Sequence, residues 1–167
     1  MKFTIKSLAT FIFLWVSFIT LAQEEGLKIN SQHPDFKIKV TRCEAMGKTV
    51  VIDMLFENVG PDDVNVNMKG TEFGGYGHSA AYDDEGNIYQ GDNFKIRLGN
   101  SDLTVFGVSK TLPSEVPIKA RIQLENVPES VKTIKRVDFR CDNPQWGLKH
   151  DKQVRLSNIP ISREGDE

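Results

Sequence analysis

Three histidines and twenty-three acidic residues are the side chains of this sequence that most often take part in catalysis. Nucleophilic catalysis also needs a serine or cysteine beside a base that a third group orients. His33, His78 and His150 all lie in polar, loop-like stretches, and no serine stands in a Gly-x-Ser-x-Gly turn. The acidic residues are too numerous for any two to stand out as a glycosidase pair. The sequence therefore predicts no catalytic residue, no cofactor and a protein that is not an enzyme.

The acidic run Asp83-Asp84-Glu85, followed by Gly86 and Asn87, is the segment most suited to a hard cation such as Ca²⁺. Its spacing does not fit the twelve-residue calcium loop, because no glutamate closes it and apolar residues flank it. A hairpin turn in which Gly86 or Asn87 adopts a positive φ is the alternative. Zinc is not indicated either, since histidines and cysteines are far apart in the sequence. We predict the turn and no metal site.

Aromatic side chains in two loops could bind a partner. Phe73 and Tyr76 stand among the glycines of residues 69–79, and glycines let a loop fit a ligand. Trp146 follows in a second loop. Each has an alternative, because loop aromatics can fold back onto the core and a lone tryptophan can cover the edge of a core. We name these three residues as the possible binding surface, and the alternatives stay open.

The first 22 residues have the pattern of a secretory signal peptide. Lys2 and Lys6 precede an uncharged, mostly apolar run, and Thr20-Leu21-Ala22 supplies a small residue at the expected cleavage position. The apolar run is short for a bilayer of about 30 Å, so an uncleaved anchor is the less favoured alternative. We predict a signal peptide at 1–22 and a mature protein, periplasmic or secreted, with no membrane span.

Cys43 and Cys141 are the two cysteines, and export would place them in an oxidising compartment. Each stands at the end of a predicted strand, one early and one late in the domain, so a bridge between neighbouring first and late strands is reasonable. Closing a loop of about 100 residues would stabilise the fold by at most about 4.7 kcal/mol. We predict this disulfide, and two separate thiols packed as small apolar groups are the alternative.

Length and composition favour one all-β domain. The chain has 167 residues, enough for a single substantial core. Its ten phenylalanines, and apolar alternations separated by Gly, Pro, Asn and Asp, are typical of β-proteins. The net charge of −2 is too small to favour nucleic acid or an acidic membrane as a partner.

Alternating apolar and polar residues predict the strands. Val116 to Leu124 and Val137 to Cys141, separated by a turn at 126–130, predict a long antiparallel hairpin at the centre of the fold. Phe36 to Thr41 is lysine-rich on its open side and predicts an edge strand, and Thr49 to Asn58 predicts an inner one. Further strands are expected within 64–68, 80–89, 94–98, 103–108 and 154–161. The domain then spans 36–162 with about 8–10 strands, after a linker at 23–35 and before a polar tail at 163–167.

Strand ends and turns of the sequence stand at Phe56 to Gly60, Tyr82 to Tyr89, Leu112 to Lys119, Glu125 to Pro128 and Ile134 to Phe139. In these segments the sequence resembles small secreted immunoglobulin-like domains of unknown function. The N-terminal segment, with its Phe-rich core ending in Leu-Ala-Gln, similarly resembles signal peptides of Gram-negative bacteria of the Bacteroidetes type. Trp146 follows both cysteines, so the Cys-Trp-Cys order of antibody domains is absent.

The resemblance implies an all-β, immunoglobulin-like antiparallel β-sandwich in the periplasm or outside the cell. It brings no catalytic residues, and it implies a non-catalytic interaction or accessory module that binds an envelope or extracellular protein. A polysaccharide is the alternative partner, with Trp146, Tyr76 and Phe73 as candidate stacking surfaces.

Overall fold

The computed structural model describes residues 26–31, 36–71, 79–142 and 152–163. The predicted signal peptide lies outside these ranges. Within them, no helix is long and apolar enough to span a membrane. The described residues form a short 3₁₀ helix, Gly91–Asn93, and twelve β-strands. The strands are β1 (Lys28–Asn30), β2 (Phe36–Met46), β3 (Thr49–Asn58), β4 (Val64–Lys69), β5 (Ala80–Asp83), β6 (Ile88–Tyr89), β7 (Phe94–Leu98), β8 (Val108–Leu112), β9 (Ile118–Leu124), β10 (Thr133–Asp142), β11 (Lys152–Pro160) and β12 (Ser162–Arg163).

The strands form two sheets that pack face to face. The five-stranded sheet has the order β12-β2-β3-β9-β7, and its strands are antiparallel except that β12 runs parallel to β2. The seven-stranded sheet has the order β1-β11-β10-β4-β8. Its β5 pairs with β10 and with the short β6, and all of its pairings are antiparallel. The predicted all-β, antiparallel sandwich is confirmed.

The core forms where the apolar faces of the two sheets meet. β3 lies between β2 and β9, as predicted for an inner strand, and its core-facing residues are at most 1% exposed. Phe56 of β3 stacks across the interface on Phe139 of β10, with ring centroids 6.1 Å apart and planes 10° apart. Phe36, the first residue of β2, meets Phe56 edge-on at 5.0 Å. The core-facing residues of β3 are Val50, Ile52, Met54 and Phe56.

The long central hairpin predicted from residues 116–141 is wrong. β9 lies in the five-stranded sheet between β3 and β7, whereas β10 lies in the seven-stranded sheet. The connection between them crosses from one sheet to the other, with Val127 and Val131 fully buried. The backbone N–H of Val127 donates to the carbonyl oxygen of Lys48 at 2.9 Å, which ties this crossing to the β2–β3 turn. Alternation identified both strands correctly, but it does not specify which strand pairs with which.

Residues 103–108 do not form the predicted partner strand of β7. Only Thr104 bridges to β7, at Ile96. The chain then passes close to Gly70, whose N–H donates to the carbonyl oxygen of Phe106 at 3.0 Å. A Cβ atom at Gly70 would lie 2.2 Å from a backbone carbonyl oxygen, so the close approach requires glycine. The next strand, β8, pairs with β4 in the other sheet.

The acidic turn after β5 is a hairpin, as predicted, and Asp83 organises it. Gly86 has a φ of +87°, which glycine adopts without strain. The Asp83 carboxylate is 4% exposed and accepts hydrogen bonds from the backbone N–H groups of Glu85 and Asn87, the Asn87 amide and the Tyr89 hydroxyl, at 2.6–2.9 Å. Burial acts to raise the pKa of Asp83, but the hydrogen bonds outweigh it and hold the pKa below its usual value.

Replacing Asp83 by Asn should lower the free energy of unfolding by about 1–3 kcal/mol near neutral pH, because an amide nitrogen replaces one of the accepting oxygens. The folded-state pKa of Asp83 lies below the unfolded value of about 3.9, so the ionised carboxylate stabilises the fold above that pH. This contribution is lost as the pH falls through the folded-state pKa. Urea unfolding should therefore show the difference between wild type and Asp83→Asn shrinking in acid.

Asp84→Asn is the matched control for this turn, because Asp84 is exposed. Its free energy of unfolding in urea should differ from that of the wild type by no more than about 0.5 kcal/mol. Equal stability of Asp83→Asn and the wild type at neutral pH would contradict the role given to Asp83, and so would a difference that does not change with pH.

Candidate functional site

Cys43 and Cys141, predicted to form a disulfide, are free thiols that are both buried in the core. Cys43 in β2 pairs with Ile52, and Cys141 in β10 pairs with Met68, so the two cysteines come from opposite sheets. Facing sheets lie about 10 Å apart, and a bridge forms only where two cysteines are closely opposed. The predicted bridge is therefore not formed in this structure, which has the two separate thiols of the alternative. Burial raises the pKa of Cys43 to about 12 and also raises that of Cys141.

The folded protein should react slowly with a thiol reagent such as DTNB, because burial disfavours the reactive thiolate. After unfolding without reductant, two thiols per chain should react at once. The measurement is the absorbance of the released chromophore before and after adding denaturant. An unfolded, unreduced chain with no reactive thiol would show that the disulfide forms.

Within the described part of the chain, the other residues that the sequence suggested for binding do not come together in a site. Phe73, Tyr76 and Trp146 lie outside the described residues, so the binding surface predicted from them stays a prediction. Asp83 belongs to the acidic run that was considered above as a calcium site. Its carboxylate instead accepts four hydrogen bonds from donors in its own hairpin. Within the described ranges, no group of three or more His, Cys, Asp or Glu side chains could hold a metal ion.

An open seam runs along one side of the sandwich, between β1 and β2. β1 is an outer strand of the seven-stranded sheet. β2 has β3 on one side, but on its other side β12 pairs only with Glu44 and Ala45. The backbone from Lys37 to Cys43 therefore has no strand partner on that side among the described residues, which confirms the predicted edge strand. We call this opening, walled by residues 26–31 and 36–43, the β1–β2 seam.

Two cavities open into the β1–β2 seam and follow one another along β2. One has a volume of about 500 Å³ and takes residues 36–39 of β2 into its wall. The other has a volume of about 580 Å³ and takes residues 40–43. On the β1 side, the first is lined by Ile29 and Ser31, and the second by Gly26 and Leu27. Their walls together include eight consecutive residues of β2, or about 26 Å of extended chain, and we call the two cavities together the groove of the seam.

The inner wall of the β1–β2 seam is apolar and incompletely covered. Ile38 and Val40 of β2 pack against the core but are only partly buried. On the opposite wall, Leu27 is 40% exposed and Ile29 is 36% exposed. Apolar surface on two facing edges remains available for burial when another chain segment enters between them.

The rim of the β1–β2 seam is basic. Lys37 and Lys39 alternate with Ile38 on β2 and are exposed, and the exposed Lys135 of β10 lines the larger cavity. None of these three ammonium groups has a salt-bridge partner among the described residues. Glu57 is the only described acidic residue that lines either cavity. Glu57 lies opposite Lys37 on β3 and partly offsets its charge, so the positive charge available to a ligand comes mainly from Lys39 and Lys135.

Arg42 also lines the larger cavity, but its guanidinium is bound by a carboxylate of this chain and is therefore less available to a ligand than the lysines. The pairing of β2 with β3 shifts register between Val40 and Arg42, so Thr41 forms a β-bulge. The Arg42 guanidinium donates to the Asp53 carboxylate at 2.7 and 3.0 Å, and Arg121 of β9 donates to the same carboxylate at 2.7 Å. Partial burial acts to raise the pKa of Asp53, but the two guanidinium groups outweigh it and hold the pKa below its usual value.

The β1–β2 seam is not predicted from the sequence, because the polar residues 23–35 predict a linker. A signal was present, since Leu27 and Ile29 alternate with Lys28 and Asn30 in the way of a strand. The pattern covers only four residues, and the partner of β1 is β11, more than a hundred residues later. Only the tertiary structure brings β1 opposite the lysine-rich edge of β2.

Comparison with known proteins gives similarity at the level of the fold. No protein-family profile matches the sequence, and no curated protein matches it. PapD-like domain 7 of human CEP192 is 17% identical, with 80% of this chain and 87% of that chain covered and a TM-score of 0.38. The N-terminal domain of PorA is also 17% identical, with 78% and 98% covered and a TM-score of 0.41. A family 123 glycoside hydrolase from Clostridium perfringens is 10% identical, with 82% of this chain but 27% of that chain covered and a TM-score of 0.42.

These similarities concern the fold alone. The β-sandwich described above rests on the two packed sheets of this chain, and no property of these proteins is carried over to it.

Proposed function

We propose that this protein is an exported, non-catalytic immunoglobulin-like module that binds a protein of the cell envelope or of the extracellular space. The signal-like pattern of residues 1–22 supports export. The resemblance of that segment to signals of Bacteroidetes-type bacteria supports a Gram-negative envelope as the setting. The module is then a small secreted domain that works in the periplasm or outside the cell.

The β1–β2 seam is the observation that carries the proposal of a binding role. It combines an unpaired strand edge, partly exposed apolar side chains and unpaired lysines in one groove, and each of these features is stabilised by contact with another chain. A groove along an extended strand suits a polypeptide better than a compact ligand, because its length matches about eight residues of extended chain.

The lining of the seam also supports a non-catalytic role. Nucleophilic catalysis brings together a nucleophile, a base and a group that orients the base, and general acid–base catalysis needs a histidine or paired carboxyl groups. The described lining residues include no histidine and one acidic residue, Glu57. Cys43 also lines the larger cavity, but it is buried in the core and burial raises the pKa of its thiol to about 12, so the thiol remains protonated near neutral pH.

A polysaccharide partner bound by Phe73, Tyr76 and Trp146 is the alternative from the sequence. These three aromatic residues lie outside the described ranges, so no geometry favours a polysaccharide over a protein.

Cross-linking in intact cells tests the proposed function. The full chain, produced with its own N-terminal segment and a C-terminal affinity tag, should lose residues 1–22 and form a discrete cross-linked adduct with an envelope or extracellular protein. An excess of untagged chain should compete the adduct away. N-terminal sequencing that begins at Met1 on cytosolic material, or adducts that untagged chain does not compete, would contradict the proposal.

A further inference from the structure

We propose, resting on the proposed function, that the partner of this module supplies an extended segment in which acidic and apolar side chains alternate. This segment adds a strand to the free edge of β2, within the β1–β2 seam. Its backbone pairs with residues 37–40, its apolar side chains enter the seam, and its acidic side chains meet Lys37 and Lys39.

The backbone of β2 provides the first part of the argument. An edge strand directs about half of its N–H and C=O groups away from its only neighbour, and these groups can pair with an incoming strand. On β2 this edge runs from Lys37 to Cys43 and is closed beyond it by β12, which pairs with Glu44 and Ala45. The bulge at Thr41 interrupts the regular ladder, so the straight part available for pairing is Lys37 to Val40.

The apolar side chains set the pattern of the incoming strand on its inner face. Ile38 and Val40 are partly buried, and Leu27 and Ile29 stand partly exposed on the opposite wall. Side chains of an added strand alternate between two faces, so every second residue would enter the space between these walls. Apolar residues at those positions would bury apolar surface on both β1 and β2.

The charges set the pattern on the outer face. Lys37 and Lys39 are exposed and lie on the other side of β2 from Ile38 and Val40. Directly opposed residues on neighbouring strands attract when their charges are opposite and destabilise the pairing when their charges are alike. Glu or Asp at the outward positions of the incoming strand therefore matches the lysines, and Lys135 adds positive charge where that strand would reach the larger cavity.

The same lysines argue against a second copy of this chain as the occupant. Two β2 edges paired with each other would place lysines opposite lysines. Exposed lysines on an edge strand are a common protection against such self-pairing. The edge that repels its own copy attracts an acidic strand, so we assign the seam to a different protein.

A synthetic peptide of alternating Glu and Val residues, three of each, with blocked ends, tests the pairing. It should bind the purified chain, more weakly as the salt concentration rises, and shift the amide NMR signals of residues 36–43. The same peptide with Lys in place of Glu should not bind. A version N-methylated at alternate residues should lose binding, because it cannot form the backbone ladder along one edge.

Charge reversal on the protein identifies the site. The double variant Lys37→Glu/Lys39→Glu should bind the Glu-Val peptide about tenfold more weakly and should gain affinity for the Lys-Val peptide. Lys48→Glu/Lys110→Glu makes the same change in net charge at residues that line neither cavity, and it should bind like the wild type. Superimposable circular-dichroism spectra would show that both variants are folded.

Five results would overturn the proposal. The first four are the absence of binding by the Glu-Val peptide, NMR shifts confined to residues other than 36–43, equal binding by the two double variants, and a dimer in sedimentation that Lys37→Glu/Lys39→Glu breaks. A gain in peptide affinity on removal of residues 164–167, which hold three acidic residues, would assign the seam to the chain's own tail and also overturn it.

Failure of this inference is distinguishable from failure of the proposed function. If the cross-linked adduct forms equally with wild type and with Lys37→Glu/Lys39→Glu, the module binds a protein elsewhere and the strand-addition proposal alone is wrong. If no competed adduct forms, the proposed function itself is wrong.

Discussion

The stacked contact between Phe56 and Phe139 joins the central strands of the two sheets, and the rest of the sandwich is arranged around it. Both rings are fully buried, and an aromatic pair of this kind contributes about 0.5–1.5 kcal/mol beyond the burial of its surface. Phe36 adds an edge-on contact to Phe56, so the first residue of β2 is fixed against the same cluster. The position of β2, and hence of its free edge, is set by its pairing with β3 along the strand together with this contact.

A sandwich of two open sheets leaves outer strands, and here the connections decide which edges stay open. β12 covers β2 only at Glu44 and Ala45, and β1 is only three residues long. The result is a groove whose walls are apolar and whose rim is basic. The bulge at Thr41 and the lysines restrict what can pair with β2, so the features that limit aggregation also give the edge a preference for acidic partners.

The sequence predicted much of the fold but little of the site. Period-two alternation identified β3, β7 and β9, and the Asp-Glu-Gly-Asn stretch identified the turn that Asp83 organises. The predicted pairing of β9 with β10 was wrong, because alternation shows which face of a strand is buried and not which strand lies next to it. The seam could not be predicted for a related reason. Its walls come from residues near 28 and near 38, which face each other only because β1 joins β11 in the opposite sheet.

Amide hydrogen exchange along β2 tests the open edge most directly. In an antiparallel pair, alternate residues of an edge strand donate to the neighbour and the others point away from it. Residues 37–40 should therefore alternate between slow and fast exchange, whereas the inner strand β9 should be protected throughout. Uniform slow exchange across residues 37–40 would show that the edge is already covered in the isolated chain, and would contradict the open seam.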